Sequence, residues 1–190
     1  IMKINKKHKR AMTRNCSYIS PKVYIKKSAI DGKGIFAKKQ IKKGEIITIS
    51  IGGYIVTEKE YDNLIKNDHR GMAHYSYKIA EGFYWSSIKG NRGSLDCADY
   101  INHSCNPNAG INGHVLVVAM RDIKSGEEIN YDYAMTDSDN DDRLVCLCGS
   151  KSCRKIITGD DWKMPTLQKK YKGYFSWYIQ EKINKLKRKH

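Results

Sequence analysis

The chain has 190 residues, with 35 basic and 20 acidic side chains for a net charge of +15, and 40% of it is hydrophobic. That is room for one domain burying roughly 70% of its unfolded surface, and with only 3 prolines and 15 glycines it is too apolar for a disordered or collagen-like chain. The longest charge-free apolar stretch, residues 46–56, is eleven residues broken by two glycines. It falls short of the ~20 needed to span a bilayer, so no membrane partner is expected.

The opening IMKINKKHKRAM carries charge with no apolar block after it, so no secretory signal is expected and the cysteines should lie in a reducing, intracellular compartment. Charge sits at the ends. Residues 1–27 hold nine Lys or Arg and no acid, and residues 163–190 hold nine against Glu181 alone, which leaves the middle slightly acidic. Such ends suit phosphate contacts with nucleic acid, nuclear import runs at 6–10 and 185–189, or simple solvation.

In chain order, Val23–Ile25, Ile46–Ile51 and Val115–Ala119 are short β-branched runs bounded by turn residues and predict strands. Lys42-Lys43-Gly44-Glu45 and Lys124-Ser125-Gly126-Glu127 are near copies that predict turns leading into a sheet. Glu58–Asn67, behind Thr57 and with Glu58 and Glu60 in its first turn, predicts a helix. From Pro165, apolar residues at three- and four-residue steps, interrupted by Gly173, predict one broken or two successive amphipathic helices packing on the domain.

Six cysteines stand at 16, 97, 105, 146, 148 and 153. Cys146, Cys148 and Cys153 form C-x-C-x4-C, a spacing poor for a disulfide and good for gripping one ion. Zinc wants four ligands, so one must come from elsewhere in the fold, and Cys105, ahead of the Asn106-Pro107 turn, is the candidate. Three idle thiols in a loop are the plainer alternative; Cys16 and Cys97 are read as ordinary thiols.

Three other segments concentrate chemistry. Asp31-Gly32-Lys33-Gly34-Ile35-Phe36-Ala37 is either a tight turn or a place where bare backbone approaches a ligand. Asn102-His103-Ser104-Cys105-Asn106-Pro107-Asn108 is more polar than an Asx turn requires. Glu127 to Tyr133 sets Tyr131 and Tyr133 on one face of an extended segment, where tyrosines are ordinarily core or rim. The His and Ser suggest a hydrolase, but no G-x-S-x-G elbow accompanies them.

In this order, these three segments and C-x-C-x4-C resemble the SET-domain protein-lysine methyltransferases with a post-SET zinc motif, over roughly residues 22–155. Ile157 to Trp162 and the aromatic helix beyond look like the compact, prokaryotic-type members. The resemblance implies a mostly β fold of small curved sheets with short helices, a knot-like threading of the segment ending at Tyr133, and a C-terminal helical segment. The boundaries it implies are a basic arm over 1–21, the catalytic domain over 22–135, a zinc segment over 136–162 and a basic amphipathic helix over 163–190.

The resemblance further implies S-adenosylmethionine as methyl donor, held by Lys33, Gly34 and Ile35, by Tyr75, and by Asn102 and His103. Leu147 and Trp162 are candidates to cover its adenine, with core packing the alternative for Trp162. Tyr77 and Tyr131 would wall the substrate channel, and Tyr133 matches the catalytic tyrosine. A narrow aromatic channel destabilises an ammonium and so favours the neutral amine that methyl transfer needs. A phenol titrating near 10 is a poor base at neutral pH, so Tyr133 should position rather than abstract. Tyr131 occupies the aromatic switch position, and its hydroxyl, by filling space, predicts mono-methylation, or di-methylation at most.

Asp137, Asp139, Asp141 and Asp142 are either a surface for a basic peptide or a solvated loop. Histones, ribosomal proteins and DNA-binding proteins all suit such a surface, and a monomer is expected. The compartment would be cytoplasm or nucleus, or a host nucleus for a bacterial protein. The competing readings are a nucleic-acid- or chromatin-binding module built on an inactive SET-like core, and a disulfide-stapled secreted domain.

Overall fold

Short β-branched runs alternating with glycine turns give many small strands and few helices. The computed structural model describes residues 18–67, 75–89, 92, 93, 95, 97–139 and 143–188. The basic run 3–10, Cys16, Asp141 and Asp142 lie outside the described residues, as does the side chain of Cys97. The first half holds strands Tyr18–Ile19 (β1), Val23–Lys27 (β2), Lys33–Ala37 (β3), Ile46–Ile49 (β4) and Tyr54–Thr57 (β5), then helix Glu58–Lys66 (α1). Next come Tyr77–Ala80 (β6), Phe83–Ser86 (β7), Ile88–Lys89 (β8) and Arg92–Gly93 (β9). The second half holds Asn102–His103 (β10), Ala109–Asn112 (β11), Leu116–Ala119 (β12), Glu128–Tyr131 (β13), Arg143–Val145 (β14) and Ile156–Thr158 (β15), and it ends with helices Pro165–Lys170 (α2) and Trp177–Lys187 (α3).

Helix α1 begins on a capping box. The Glu60 N–H donates to Thr57 Oγ1 at 3.3 Å and the Thr57 N–H donates to Glu60 Oε2 at 2.8 Å, satisfying two otherwise orphaned donors. The twin turns are structural equivalents: Gly44 and Gly126 take φ of +84° and +89°, a region open to glycine. In both, the first lysine N–H donates to the closing glutamate, Lys42 to Glu45 at 3.2 Å and Lys124 to Glu127 at 2.7 Å. Ile41 and Ile123, just ahead of the two turns, bridge each other.

Three sheets carry the fold, ordered β1-β4-β12-β11, β10-β13-β3-β2 and β5-β7-β6. In the second, β13 runs antiparallel to β3 and parallel to β10, with Asn102 opposite Asn130 and His103 opposite Tyr131. Residues 104–108 continue along β13: the Ser104 N–H donates to the Tyr131 carbonyl at 3.0 Å and Asn108 Nδ2 to the Glu128 carbonyl at 2.8 Å. Two segments distant along the chain lie side by side here. This pairing leaves Tyr131 and Tyr133 at the end of a strand hydrogen-bonded on both edges.

Tyr18 and Ile19, within the stretch expected as a basic arm, pair with Ile49 and Thr48. Two expectations are corrected. The strand from Ile46 ends at Ile49 rather than Ile51, although the Ser50 N–H still donates to the Val115 carbonyl at 2.9 Å. Tyr133 lies not in extended chain but at the start of a short 3-10 turn, Tyr133–Met135.

The tail is two helices, divided at Gly173 with φ +84°, and it is part of the core. Leu167, Tyr171, Phe175, Ile179 and Ile183 are buried in one cluster with Ile35, Ile47, Ile101, Ile111 and Ile129. Each such side chain contributes about 1.5–3 kcal/mol by leaving water. Backbone bonds seat the connecting segment, the Ile111 N–H to the Tyr174 carbonyl at 3.1 Å and the Ser176 N–H to the Met135 carbonyl at 2.8 Å. A Cβ at Gly110 would strike the Tyr174 ring, so glycine is what lets this segment close on β11.

Candidate active site and metal centre

A cavity of about 560 Å³ opens beside the end of β13, lined by Tyr75, Tyr77, Tyr131 and Tyr133 together with Asp31, Asp99, Ile101, His114 and Thr136. That is ample for a cofactor-sized ligand. The Tyr131 and Tyr133 rings stand 5.2 Å apart at 50°. The Tyr133 hydroxyl donates to the Ile101 carbonyl at 3.2 Å, the Tyr77 hydroxyl to the His114 carbonyl at 3.1 Å, and Tyr131 Oη lies 3.4 Å from Thr136 Oγ1.

These groups are neutral at physiological pH. Burial pushes the Tyr133 phenol well above its ordinary value, with Tyr131 and Tyr75 adding to it, and burial does the same to Tyr77. Burial also carries Tyr131 up to about 12, against the opposing hydrogen bond with Thr136. Tyr75 rises through burial and the negative field of Asp99 and Asp31. His114 is lowered by burial, and its Nδ1 has no partner among the described residues. The tyrosine side of the wall is thus uncharged phenol and imidazole with Asp31, Asp99 and Asp137 beside it, and Arg143 brings a cation to the lining.

The expected cofactor residues are divided. Tyr75 is on the cavity wall. Lys33, Gly34, Ile35, Asn102 and His103 are not, and they shape it from behind. Asn102 Nδ2 donates to the Asp31 and Lys33 carbonyls at 3.2 and 3.1 Å and to Glu128 Oε1 at 2.9 Å, which pins the glycine turn to β13. Glu128 Oε1 also accepts from Ser28 at 2.7 Å, and a Cβ at Gly34 would collide with this carboxylate. Ile35 is fully buried core. Leu147 is exposed, and Trp162 is buried in the main core, its Nε1 without a partner among the described residues and the Lys163 and Lys182 ammonium groups 5.6 and 5.3 Å from its ring centre. Neither lines the cavity.

The cysteine expectation converges in space. The sulfurs of Cys105, Cys146, Cys148 and Cys153 all lie within 4.8 Å of one another, and Cys105 Sγ is 3.8 Å from Cys146 Sγ. A zinc ion at ~2.3 Å from each of four sulfurs would set them roughly 3.8 Å apart, so the group fits. His103 supports it from behind. Its Nδ1 accepts from the Tyr133 N–H at 3.2 Å, so the neutral ring carries its proton on Nε2, 3.4 Å from Cys105 Sγ. Burial lowers His103 to about 4, which keeps it in this neutral form.

The SET domain family matches residues 32–134, more than half of the chain. The chain belongs to the SET-domain family. It is 33% identical over 144 residues to human histone-lysine N-methyltransferase 2B, covering 71% of this chain and 5% of that protein. It is likewise 33% identical to Drosophila melanogaster histone-lysine N-methyltransferase trithorax over 144 residues, 71% of this chain and 4% of that one. Arabidopsis thaliana histone-lysine N-methyltransferase ATX2 is 33% identical over 141 residues, 69% of this chain and 12% of that protein. The chain therefore spans only a small share of these relatives, and the compact prokaryotic type expected from the tail is not represented among these three.

Several residues of this SET-domain site escaped the reading of the sequence. Asp31, Asp99, His114 and Thr136 line the cavity, Glu128 holds the glycine turn, and the buried Asp132 pairs with Arg154. Asp31, Glu128 and Asp132 stood inside singled-out segments without being assigned a role, and Arg154 directly follows the last cysteine; Asp99, His114 and Thr136 had no such signal.

Proposed function

We propose that this chain is a protein-lysine N-methyltransferase that uses S-adenosylmethionine and carries a structural zinc ion on Cys105, Cys146, Cys148 and Cys153. The observation that carries the reading is the meeting of Tyr77, Tyr131 and Tyr133 on one cavity beside the four-sulfur cluster. Membership of the SET family and the printed activity of the relatives support it. The cavity suits a sulfonium cofactor, since its volume is that of a ligand pocket and Asp31 and Asp99 offer negative charge to a cation. When bound, S-adenosylmethionine supplies a methyl carbon on a sulfonium sulfur, open to displacement by a neutral amine.

The chain's own side chains would do the rest. Tyr77 and Tyr131 flank the lysine stem with flat apolar surface, exclude water and, being uncharged, favour the neutral amine. Tyr133 has committed its proton to Ile101, so its lone pairs are what it offers toward the reacting groups. It orients and does not act as a base, in keeping with a phenol raised far above neutrality. Tyr75 would hold the cofactor at the cavity wall, and the turn at Lys33, Gly34 and Ile35, pinned by Asn102, would support Asp31 there without touching the cavity itself. His103 would fix the Tyr133 backbone, and Leu147, exposed beside the cluster, would close over the adenine, while Trp162 serves the core.

The substrate we infer is a basic protein of histone type, met by Asp137 on the cavity wall and Asp139 beyond it. The catalytic part would run to about residue 135, with the zinc segment over 136–162, and the workplace would be where such proteins lie, the nucleus included. Labelled methyl transfer from S-adenosylmethionine onto purified histones, followed by site mapping, tests the reading. Incorporation by the wild type and its loss in Tyr133→Phe support it, and no incorporation into histones or lysate proteins refutes it.

A further inference from the structure

Arg154 directly follows the last cysteine of the cluster and reaches two places at once. Its backbone N–H donates to Cys105 Sγ at 3.3 Å. Its guanidinium is bidentate on Asp132, Nη1 to Oδ2 at 2.6 Å and Nη2 to Oδ1 at 2.7 Å, while Nε donates to Asp161 Oδ2 at 2.8 Å. Asp132 is fully buried and immediately precedes Tyr133.

The carboxylate of Asp132 does more than balance a charge. Oδ1 also accepts from the Ala134 N–H at 3.1 Å, capping the turn in which Tyr133 sits, and Oδ2 accepts from the Tyr171 hydroxyl at 2.9 Å. With the two bonds from Arg154, the oxygens carry a full set of donors, the condition under which an ion is tolerated at this depth. The same Tyr171 hydroxyl stands 3.3 Å from the Cys105 carbonyl, which accepts from Lys170 Nζ at 2.8 Å. The cap on the Tyr133 turn and the cysteine cluster are therefore held by the same few side chains.

We infer that Arg154 is a positioning residue whose clamp on Asp132 fixes the turn that presents Tyr133 to the cavity and couples that turn to the cysteine cluster. The planar fork matters as well as the charge, because both Asp132 oxygens and Asp161 are engaged by separate N–H groups in one plane, which a lysine ammonium does not reproduce. The kinetic consequence rests on the methyltransferase reading above; the structural one does not.

Arg154→Lys keeps the charge and removes the fork, and Arg154→Gln removes both. On the full zinc-loaded chain, three quantities separate the possibilities: zinc content by chelating-dye release, amide hydrogen exchange over residues 131–136, and kcat and KM for S-adenosylmethionine with histones. Arg154→Lys should hold wild-type zinc, exchange faster over 131–136, and lose about tenfold or more in kcat with KM changed by less than about threefold, as expected when a reacting group is misplaced and binding is not. Wild-type exchange over 131–136 in Arg154→Lys overturns the clamp, and so does zinc loss that accounts for the whole fall in kcat. Should Arg154→Gln fail to fold, Arg154→Lys decides. If the wild type transfers no methyl group, the enzyme reading falls, while faster exchange at constant zinc still upholds the clamp and unchanged exchange overturns it.

Discussion

The Tyr133 hydroxyl donates to the Ile101 carbonyl at 3.2 Å, and that single bond sets what the residue can do. A phenol whose proton is engaged by the backbone, and whose ionisation burial opposes, works through its lone pairs and its position. Tyr133→Phe should therefore lower turnover by roughly 10²-fold while cofactor affinity stays near wild type. It should cost only about 1 kcal/mol of stability for the lost hydrogen bond. Single-turnover methylation, calorimetric binding and thermal melting check the three parts.

Tyr131 Oη stands 3.4 Å from Thr136 Oγ1, beside Tyr133 on the cavity wall. Removing that hydroxyl in Tyr131→Phe vacates the volume that further methyl groups need. The product should shift from mono- and di-methyl toward tri-methyl lysine, read by mass spectrometry of a histone peptide; an unchanged distribution counts against the switch.

The four-sulfur cluster should bind one zinc ion per chain. Cys105→Ser, which removes the ligand supplied from far along the chain, should lower zinc content. A strong chelator should depress the melting temperature by roughly 10 °C or more, because an ion that binds only the folded cluster stabilises it by mass action. Atomic absorption and calorimetry measure these.

His114 is lowered from its ordinary value by burial, so the folded chain holds that proton less readily than the unfolded chain. Its contribution to stability is complete above the ordinary histidine range and is lost as pH falls below about 6.5. Between pH 7 and 5.5 the melting temperature of His114→Gln should fall less than that of the wild type. Equal slopes would show that His114 is not desolvated.

The C-terminal helices are core, not tail. Phe175→Ala should cost about 3–5 kcal/mol, as deleting a buried ring does, whereas changing Lys185, Lys187 and Arg188 on the outer face to Gln should leave melting within about 0.5 kcal/mol. Urea denaturation followed by tyrosine and tryptophan fluorescence distinguishes the two.

Much of this molecule is legible one segment at a time. C-x-C-x4-C can be read because one ion imposes its spacing on neighbouring residues, and the capping box at Thr57 and Glu60 because a helix end satisfies its donors locally. The twin Lys-x-Gly-Glu turns show for the same reason, each glycine answering to a positive φ of its own. Tail periodicity left one broken helix or two successive ones around Gly173, since the α-helical repeat marks the buried face, and the structure has two.

The order of motifs along the chain was enough to determine a SET domain with a cysteine cluster and a tyrosine pair. Tertiary structure alone decided that Asn102 and His103 turn their side chains to Glu128 and to Cys105 rather than into the cavity, and that Gly34 is small to admit a carboxylate. It also decided that Trp162 belongs to the core and that Arg154 closes on Asp132. These contacts join residues tens of positions apart. Local periodicity arises from the geometry of one helix, strand or ion, whereas the partner of a buried charge is whatever the packing of distant segments brings beside it.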